Sequence, residues 1–214
     1  MEFDIIISNG RLIDGAGNPW FSADIGITGE RIESVGGLSG ERAERWIDAK
    51  GNVVAPGFID IHSHSDYNVL IDPRVESKVR QGVTTEVMGN CGGSAAPMNE
   101  EVRAYREKYM RARLGEDFEF NWETMGDYLG LIDASGASFN VVALVGQGTV
   151  RQNVMGYEDR EPTGSELAAM KGLVGNAMED GAFGLSTGLQ YPPQNFAETD
   201  EIVKEVANLT GQGC

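Results

Sequence analysis

From Pro56 onward the sequence alternates between apolar segments typical of β-strands and amphipathic segments typical of helices. Such alternation predicts parallel strands joined by right-handed crossovers, with helices covering the sheet. Four strand–helix units are half of a (β/α)8 barrel, so the pattern favours an open α/β sheet or the first half of such a barrel. The predicted strands are 58–62 (FIDIH), 83–89 (VTTEVMG), 139–146 (FNVVALVG) and 182–186 (AFGLS). The predicted helices are 72–82, 99–115, 122–136, 163–181 and 199–213.

The segment before this alternation is different, because residues 1–54 carry short β segments separated by turn residues. The segment FDIIIS is followed by a predicted turn at Asn9-Gly10, and ADIGI and RIESV are separated by TGE. Closely spaced strands with tight turns predict a small antiparallel sheet or a β-sandwich. We therefore expect an N-terminal β-sandwich portion in 1–54 and a partial barrel in 55–214.

Composition narrows the class of protein. Seventeen basic and thirty-three acidic side chains give a net charge of -16, which argues against binding to nucleic acid or to an anionic membrane. No apolar stretch is long enough for a membrane span, and the N-terminus lacks the features of a signal peptide. The two cysteines, Cys91 and Cys214, lie far apart and do not indicate a disulfide framework, so we expect a soluble, cytoplasmic protein.

The only two histidines, His62 and His64, stand one residue apart at the end of the first predicted barrel strand. Residues two apart in a strand point to the same face, and the carboxyl ends of parallel strands are where sites form. Two neighbouring imidazoles suit zinc. The competing interpretation is a pair of histidines bonded to loop carbonyls. Asp66 suits either the orientation of one ring or the capping of the loop.

Two further residues follow later strands. Cys91 lies in VMGNCGGSAAP, where the glycines let the backbone approach a ligand closely. A metal ion would favour the thiolate form of Cys91. The alternative is that Cys91 is a small buried apolar residue. Its place one strand from the histidines favours the role of a metal ligand. Tyr191 lies in GAFGLSTGLQYPP and suits a contact to a substrate carbonyl or carboxylate, or simple packing on Pro192 and Pro193.

These motifs resemble the amidohydrolase superfamily, and in particular its N-acyl-D-amino-acid deacylase (D-aminoacylase) family. PGFIDIHSHSD is similar to the first-strand signature of the superfamily, which dihydroorotases and hydantoinases share. GVTTEVMGNCGGSAAP and GAFGLSTGLQYPP are narrower and resemble the deacylases, and DIIISNGRLIDGAG resembles the N-terminal sandwich of the superfamily. The resemblance extends over essentially the whole chain.

The resemblance implies a β-sandwich joined to a metal-dependent-hydrolase (β/α)8 (TIM) barrel with zinc at the barrel mouth. Cys91 would be a zinc ligand in place of a carboxylated lysine, and His62 and His64 would contribute to a second, weaker metal position. Two histidines from later strands would complete the tight site, and a general-base aspartate is expected beyond residue 214. Tyr191 would contact substrate. The implied reaction is zinc-dependent hydrolysis of N-acyl-D-amino acids to a D-amino acid and a carboxylate.

Two departures from the family pattern bear on activity. Gln147 stands where the family usually has a histidine, which either alters the substrate pocket or is tolerated. The chain also ends at Cys214, before the next zinc-binding histidine would be expected, so we expect little or no activity from these 214 residues. The alternative functions are a fragment of a cyclic-amide hydrolase, which Cys91 in place of lysine argues against, and a non-catalytic scaffold.

Overall fold

The computed structural model describes residues 2–207, so Cys214 and the end of the last predicted helix lie outside the described residues. The chain divides into two compact units, one ending at Gly57 and the other beginning at Phe58. The boundary predicted after Val54 lies close to this division. Among the described residues, no helix combines the length and apolar character needed to cross a membrane.

The strands of the first unit are β1 (Glu2–Leu12), β2 (Phe21–Thr28), β3 (Arg31–Gly36), β4 (Arg42–Asp48) and β5 (Val53–Val54). They form one sheet in the order β3-β2-β1-β4, with β5 also beside β1. The predicted antiparallel pairing holds for β1–β2 and β2–β3, whereas β1 runs parallel to β4 and β5. The sheet is therefore mixed. Strand β4 was not predicted, because its sequence, RAERWID, is dominated by charged residues.

The predicted turn at Asn9-Gly10 is instead a β-bulge inside β1. Asn9 adopts a left-handed conformation with a φ of 57°, and the pairing of β1 with β2 shifts register between Ile7 and Gly10. The Asn9 side chain donates from Nδ2 to Oδ1 of Asp48 at 3.0 Å, which fixes the bulge against β4. The prediction of a turn was wrong because Asn and Gly serve a bulge as well as a turn.

The strands of the second unit are β6 (Phe58–Asp60), β7 (Val83–Met88), β8 (Asn140–Gly146) and β9 (Gly184–Ser186). They form a parallel sheet in sequential order. This arrangement is that of half an eight-stranded barrel, and it confirms the predicted alternation of strands and helices. The helices are α1 (Asn68–Ile71), α2 (Glu76–Val79), α3 (Glu100–Leu114), α4 (Met125–Ser135), α5 (Gln147–Met155), α6 (Gly164–Glu179) and α7 (Thr199–Val206), with a 3-10 turn at Gln194–Phe196.

Three of the predicted helices begin at side-chain caps. Thr124 and Thr163 each accept a hydrogen bond from the backbone three residues on, and Asp127 and Glu166 accept from the cap backbone in return. Asn99 caps α3 in the same way without the reciprocal bond. Each cap satisfies N–H groups that the first turn leaves free, which stabilises a helix by about 1 kcal/mol.

Other helix predictions were wrong in detail. The predicted helix 72–82 is interrupted, because Val75 adopts a left-handed conformation with a φ of 38° and only one turn, α2, follows it. Thr199 is the first residue of α7 and not its N-cap, which is Glu198. Helix α5 was not predicted, since it starts directly after β8 without any side-chain cap to mark its beginning.

Each unit has a separate apolar core. In the first, Phe3, Ile6 and Leu38 are buried together. In the second, a larger core fills the space between the sheet and its helices. Its largest fully buried apolar members are Trp122, Tyr128, Met88, Met98, Met125 and Met170.

A buried polar cluster joins α5 to α7. Nη1 of Arg151 donates to both carboxylate oxygens of Glu201, at 3.0 and 3.1 Å, and Gln147 donates from Nε2 to the same carboxylate at 3.1 Å. Glu205 lies one turn further along α7, and its buried carboxyl oxygens have no hydrogen-bond partner among residues 2–207. Burial, and then the negative charge of Glu201, raise the pKa of Glu205 to about 8. Glu205 is therefore protonated in the folded protein at neutral pH.

The protonation of Glu205 predicts that the protein loses stability as pH rises. The folded state holds a proton from about pH 5 to 8 that the unfolded state has released, so the free energy of unfolding should fall by up to about 1.4 kcal/mol per pH unit in this window. Urea denaturation of the Glu205→Gln variant between pH 5 and 9 should show a flatter dependence than the wild type. Glu198→Gln, at the exposed N-cap of the same helix, is the control. Parallel curves for wild type and Glu205→Gln would contradict the assignment.

Candidate metal centre

His62 and His64 lie just beyond the end of β6. The strand stops at Asp60, two residues short of the prediction, because Oδ1 of Asp60 accepts a hydrogen bond from the His62 backbone N–H at 3.2 Å. Both imidazoles are exposed, and their ring centroids are 5.3 Å apart with a 64° angle between planes. The two rings therefore lie side by side, as the one-residue spacing predicted.

Ser63, between the two histidines, anchors this segment to the interior. Its backbone N–H donates to the carbonyl of Val87 at 3.1 Å, and its hydroxyl donates to the buried carboxylate of Glu86 at 3.0 Å. Lys78 donates to the same hydroxyl at 3.1 Å and forms an ion pair with Glu86 at 3.1 Å. Because Ser63 is buried and fixed in this way, the imidazoles on either side of it are left exposed.

Cys91 is brought to the histidines by the loop that follows β7. Its Sγ lies 3.2 Å from Nε2 of His62, and the possible ligand atoms of His62, His64 and Cys91 all lie within 4.8 Å of one another. The thiol is partly buried, and the residue has a φ of 56°. Non-glycine residues in this left-handed region cost about 1 kcal/mol or more, and such strain is characteristic of functional sites.

Gln194 holds the Cys91 loop in this conformation. Its Nε2 donates to the carbonyl of Cys91 at 2.7 Å, while its Oε1 accepts from the backbone N–H of Gly188 at 2.8 Å. Gly92, with a φ of 72°, packs so closely against this amide that an added Cβ would lie 1.7 Å from Oε1.

Ser186 supports the same loop by accepting from the Gly92 N–H at 3.0 Å and donating to the carbonyl of Gly89. The thiol is thus positioned by contacts made on both sides of it.

Asp66 caps this loop and does not bond either imidazole. Its Oδ1 accepts a hydrogen bond from the backbone N–H of Gly89 at 2.9 Å. Burial raises the pKa of the Asp66 carboxyl, and the bond from Gly89 partly opposes that effect. Of the two roles considered from sequence, the structure therefore shows the capping role.

A cleft of about 380 Å³ opens beside the three residues, and its wall includes His64 and Cys91. Tyr191 also lines it, as do Pro192 and Pro193, and the tyrosine side chain is 47% exposed. Tyr191 therefore borders the same space as two of the predicted ligands. Gln147, the other residue singled out from sequence, is wholly buried in the polar cluster with Glu201.

Several residues of this site were missed at the level of sequence. Arg106, Met110 and Arg113 of α3 line the cleft, and Gln194 holds the loop. The three α3 residues recur at positions i, i+4 and i+7, the spacing of one helix face, so this pattern could have identified them together. Gln194 had no such signal, because its partners are distant in sequence.

Comparison with known proteins identifies the class to which this fold and site belong. A family model described as "Amidohydrolase family" matches residues 45–212, and the chain belongs to that family.

Within the family the chain is similar to D-aminoacylase from Alcaligenes xylosoxydans xylosoxydans, with 40% identity over 211 residues that cover 99% of this chain and 43% of that protein. N-acyl-D-glutamate deacylase from the same organism is 41% identical over 203 residues, which cover 94% of this chain and 40% of that protein. The chain thus spans less than half the length of these relatives.

Solved structures agree with these relationships. A crystal structure of D-aminoacylase superposes with a TM-score of 0.85 at 40% identity, covering 98% of this chain and 43% of that one. The N-acyl-D-glutamate deacylase of Bordetella bronchiseptica, complexed with zinc and a phosphonate that mimics the tetrahedral intermediate, superposes with a TM-score of 0.86 at 36% identity. It covers 99% of this chain and 44% of that one.

The contact between Gly92 and Gln194 predicts a sharp contrast between two adjacent glycines. Gly92→Ala forces a Cβ into the Gln194 amide at a left-handed residue, so we expect it to lower the free energy of unfolding by about 2 kcal/mol or more. Gly93→Ala is the matched control, because its Cβ would meet only the carbonyl of Asn90 at 3.9 Å. Thermal denaturation of both variants tests this, and equal melting temperatures would contradict it.

Proposed function

We propose that His62, His64 and Cys91 hold a zinc ion in an enzyme that hydrolyses the amide bond of N-acyl-D-amino acids. The observation that carries this proposal is the convergence of two imidazoles and one thiol within 4.8 Å at the carboxyl ends of β6 and β7. In (β/α)8 folds, functional sites form at the carboxyl ends of the parallel strands, and these two adjacent strands end there.

The donor set suits zinc in both chemistry and spacing. Zinc binds imidazole nitrogen and thiolate sulfur, at about 2.0–2.1 and 2.3 Å. The 3.2 Å between Nε2 of His62 and Sγ of Cys91 is short enough for both atoms to bind one ion at those bond lengths. The same spacing also permits a direct hydrogen bond between the two side chains, so measurement of metal content decides between them.

The residues of this chain would prepare the site and orient the substrate. A bound zinc would polarise the acyl carbonyl and lower the pKa of a bound water to about 7. Gln194 and Gly92 fix the thiol before any ligand arrives, so little reorganisation is needed on binding. Tyr191 borders the cleft, where its phenol would donate a hydrogen bond to a substrate carbonyl or carboxylate.

The substrate class comes from the relatives. N-acyl-D-aspartate deacylase is 40% identical to this chain, as is D-aminoacylase, and N-acyl-D-glutamate deacylase is 41% identical. Since two of these names specify an N-acyl-D-amino acid and the third specifies a D-aminoacylase, we propose that class without preference for a neutral or acidic side chain. The general-base aspartate implied by the family is not assigned to any residue here, and the proposed cytoplasmic location is supported by the sparse cysteines.

Metal content tests the proposed ligands directly. Protein purified with zinc should retain close to one ion per chain, measured by plasma mass spectrometry, and Cys91→Ala should reduce this about tenfold because one ligand of three is lost. Cys214→Ala is the matched control for non-specific binding to a thiol. Zinc retained equally by Cys91→Ala, or absent from folded wild type, would instead favour a non-catalytic scaffold.

Hydrolysis tests the reaction. Release of amino acid from N-acetyl-D-methionine and N-acetyl-D-glutamate should be little or none for these 214 residues, because the chain spans under half of its relatives and offers three proposed ligands. A D-aminoacylase relative is the positive control and the L-enantiomers are the negative control. Turnover near that of the relative would contradict the expectation and place the whole reaction within this chain.

A further inference from the structure

One face of α3 brings two arginines to the cleft beside the proposed metal ligands. Arg106, Met110 and Arg113 all line this space, at the i, i+4 and i+7 spacing that places residues on one side of a helix. The only carboxylate side chain among the described residues that line the cleft is Asp66, which is buried and bonded to Gly89. The α3 wall is therefore positively charged in a protein whose net charge is -16.

The charge of Arg106 is fixed in place. Its guanidinium is only 7% exposed and donates to the carbonyl of Ser94 at 2.8 Å and to that of Ala95. It also lies 6.0 Å from the ring centroid of Tyr67. None of these partners is a carboxylate, and within the described part of the chain Arg106 forms no close ion pair. The buried Asp66 carboxyl in the same cleft attracts Arg106 electrostatically without bonding it.

Arg113 differs from Arg106 because it is exposed and free to bind. Its guanidinium makes no hydrogen bond or ion pair with any residue in 2–207, although acidic side chains outnumber basic ones by 33 to 17. An arginine in the last turn of a helix is favoured by the helix dipole alone. Arg111 shares that turn, however, and it donates to the carbonyl of Glu116 at 3.2 Å and does not line the cleft. The dipole therefore accounts for both arginines but not for the position of Arg113 at the cleft.

We propose that Arg113 binds a carboxylate group of the ligand that enters this cleft, and that Arg106 supplies a fixed positive potential beneath it. A guanidinium matches a carboxylate through two parallel hydrogen bonds, which gives orientation as well as affinity. A cleft with positive charge on one wall also concentrates anions against the repulsion of an acidic surface. Arg113 is in this sense a specificity-determining residue.

The identity of the ligand rests on the proposed function, since an N-acyl-D-amino acid carries an α-carboxylate and, in the acidic members, a second carboxylate on the side chain. The anion-binding role of Arg113 itself requires only a carboxylate. Succinate, N-acetyl-D-leucine and N-acetyl-D-glutamate separate these cases, and uncharged N-acetyl-D-leucinamide is the matched neutral ligand.

The test is the dissociation constant of each ligand, measured by calorimetric or NMR titration of wild type and three variants. Arg113→Gln should weaken the binding of carboxylate ligands about tenfold and leave the neutral amide unchanged, because it removes a charge-assisted pair. Arg113→Lys keeps the charge but loses the planar fork, so its affinity should be intermediate. Arg111→Gln, two residues away in the same turn and outside the cleft, should bind like wild type.

The pattern across ligands identifies which carboxylate Arg113 binds. Weaker binding of N-acetyl-D-glutamate alone indicates the side-chain carboxylate, whereas equal weakening with N-acetyl-D-leucine indicates the α-carboxylate. Unchanged binding in Arg113→Gln, equal weakening of the neutral amide, or no saturable binding of any carboxylate by wild type would overturn the proposal. Zinc content reports on the proposed function separately, so Arg113-dependent binding of succinate without zinc would retain the anion site and reject the hydrolase.

Discussion

The position of Cys91 depends on a direct connection between loops that follow the second and fourth strands of the sheet. Strands two apart in a sheet lie about 9.5 Å apart, too far for hydrogen bonds across a flat sheet. Ser186 at the end of β9 nevertheless bonds the backbone of Gly89 and Gly92 beyond β7. The loop after β7 must therefore lean over the end of β8, where Gly146 leaves room: an added Cβ would lie 2.4 Å from the Gly92 carbonyl.

Because of this connection, the geometry of the candidate site depends on more than its three polar side chains. The two imidazoles and the thiol come from the ends of adjacent strands, and adjacency follows from the order of the chain. The left-handed backbone of Cys91 instead requires Gln194, which follows the fourth strand. The geometry of the thiol is therefore a property of the whole second unit, and the strain at Cys91 is balanced by contacts that form only when all four strands are in place.

Signals that are local in sequence predicted most of the fold, and interactions between distant residues produced the differences. The caps at Thr124 and Thr163, and the proximity of His62 and His64, follow from spacings of a few residues. The bulge at Asn9 did not, because the same residue types form turns, and only the partner strands decide between them. Gln194 could not be recognised from sequence, since its amide matters only once Cys91 is 2.7 Å away.

The charge of the whole chain differs from the charge at the place where a ligand would bind. The net charge of -16 predicts that nucleic acid is not a partner, yet an average over 214 residues cannot reveal a cleft whose wall is basic. Arg106 is held there by carbonyl groups, which accept hydrogen bonds without cancelling its charge. A carboxylate bonded directly to Arg106 would cancel its charge, so the neutral carbonyl acceptors leave more of that positive charge in the cleft beside the proposed zinc ligands.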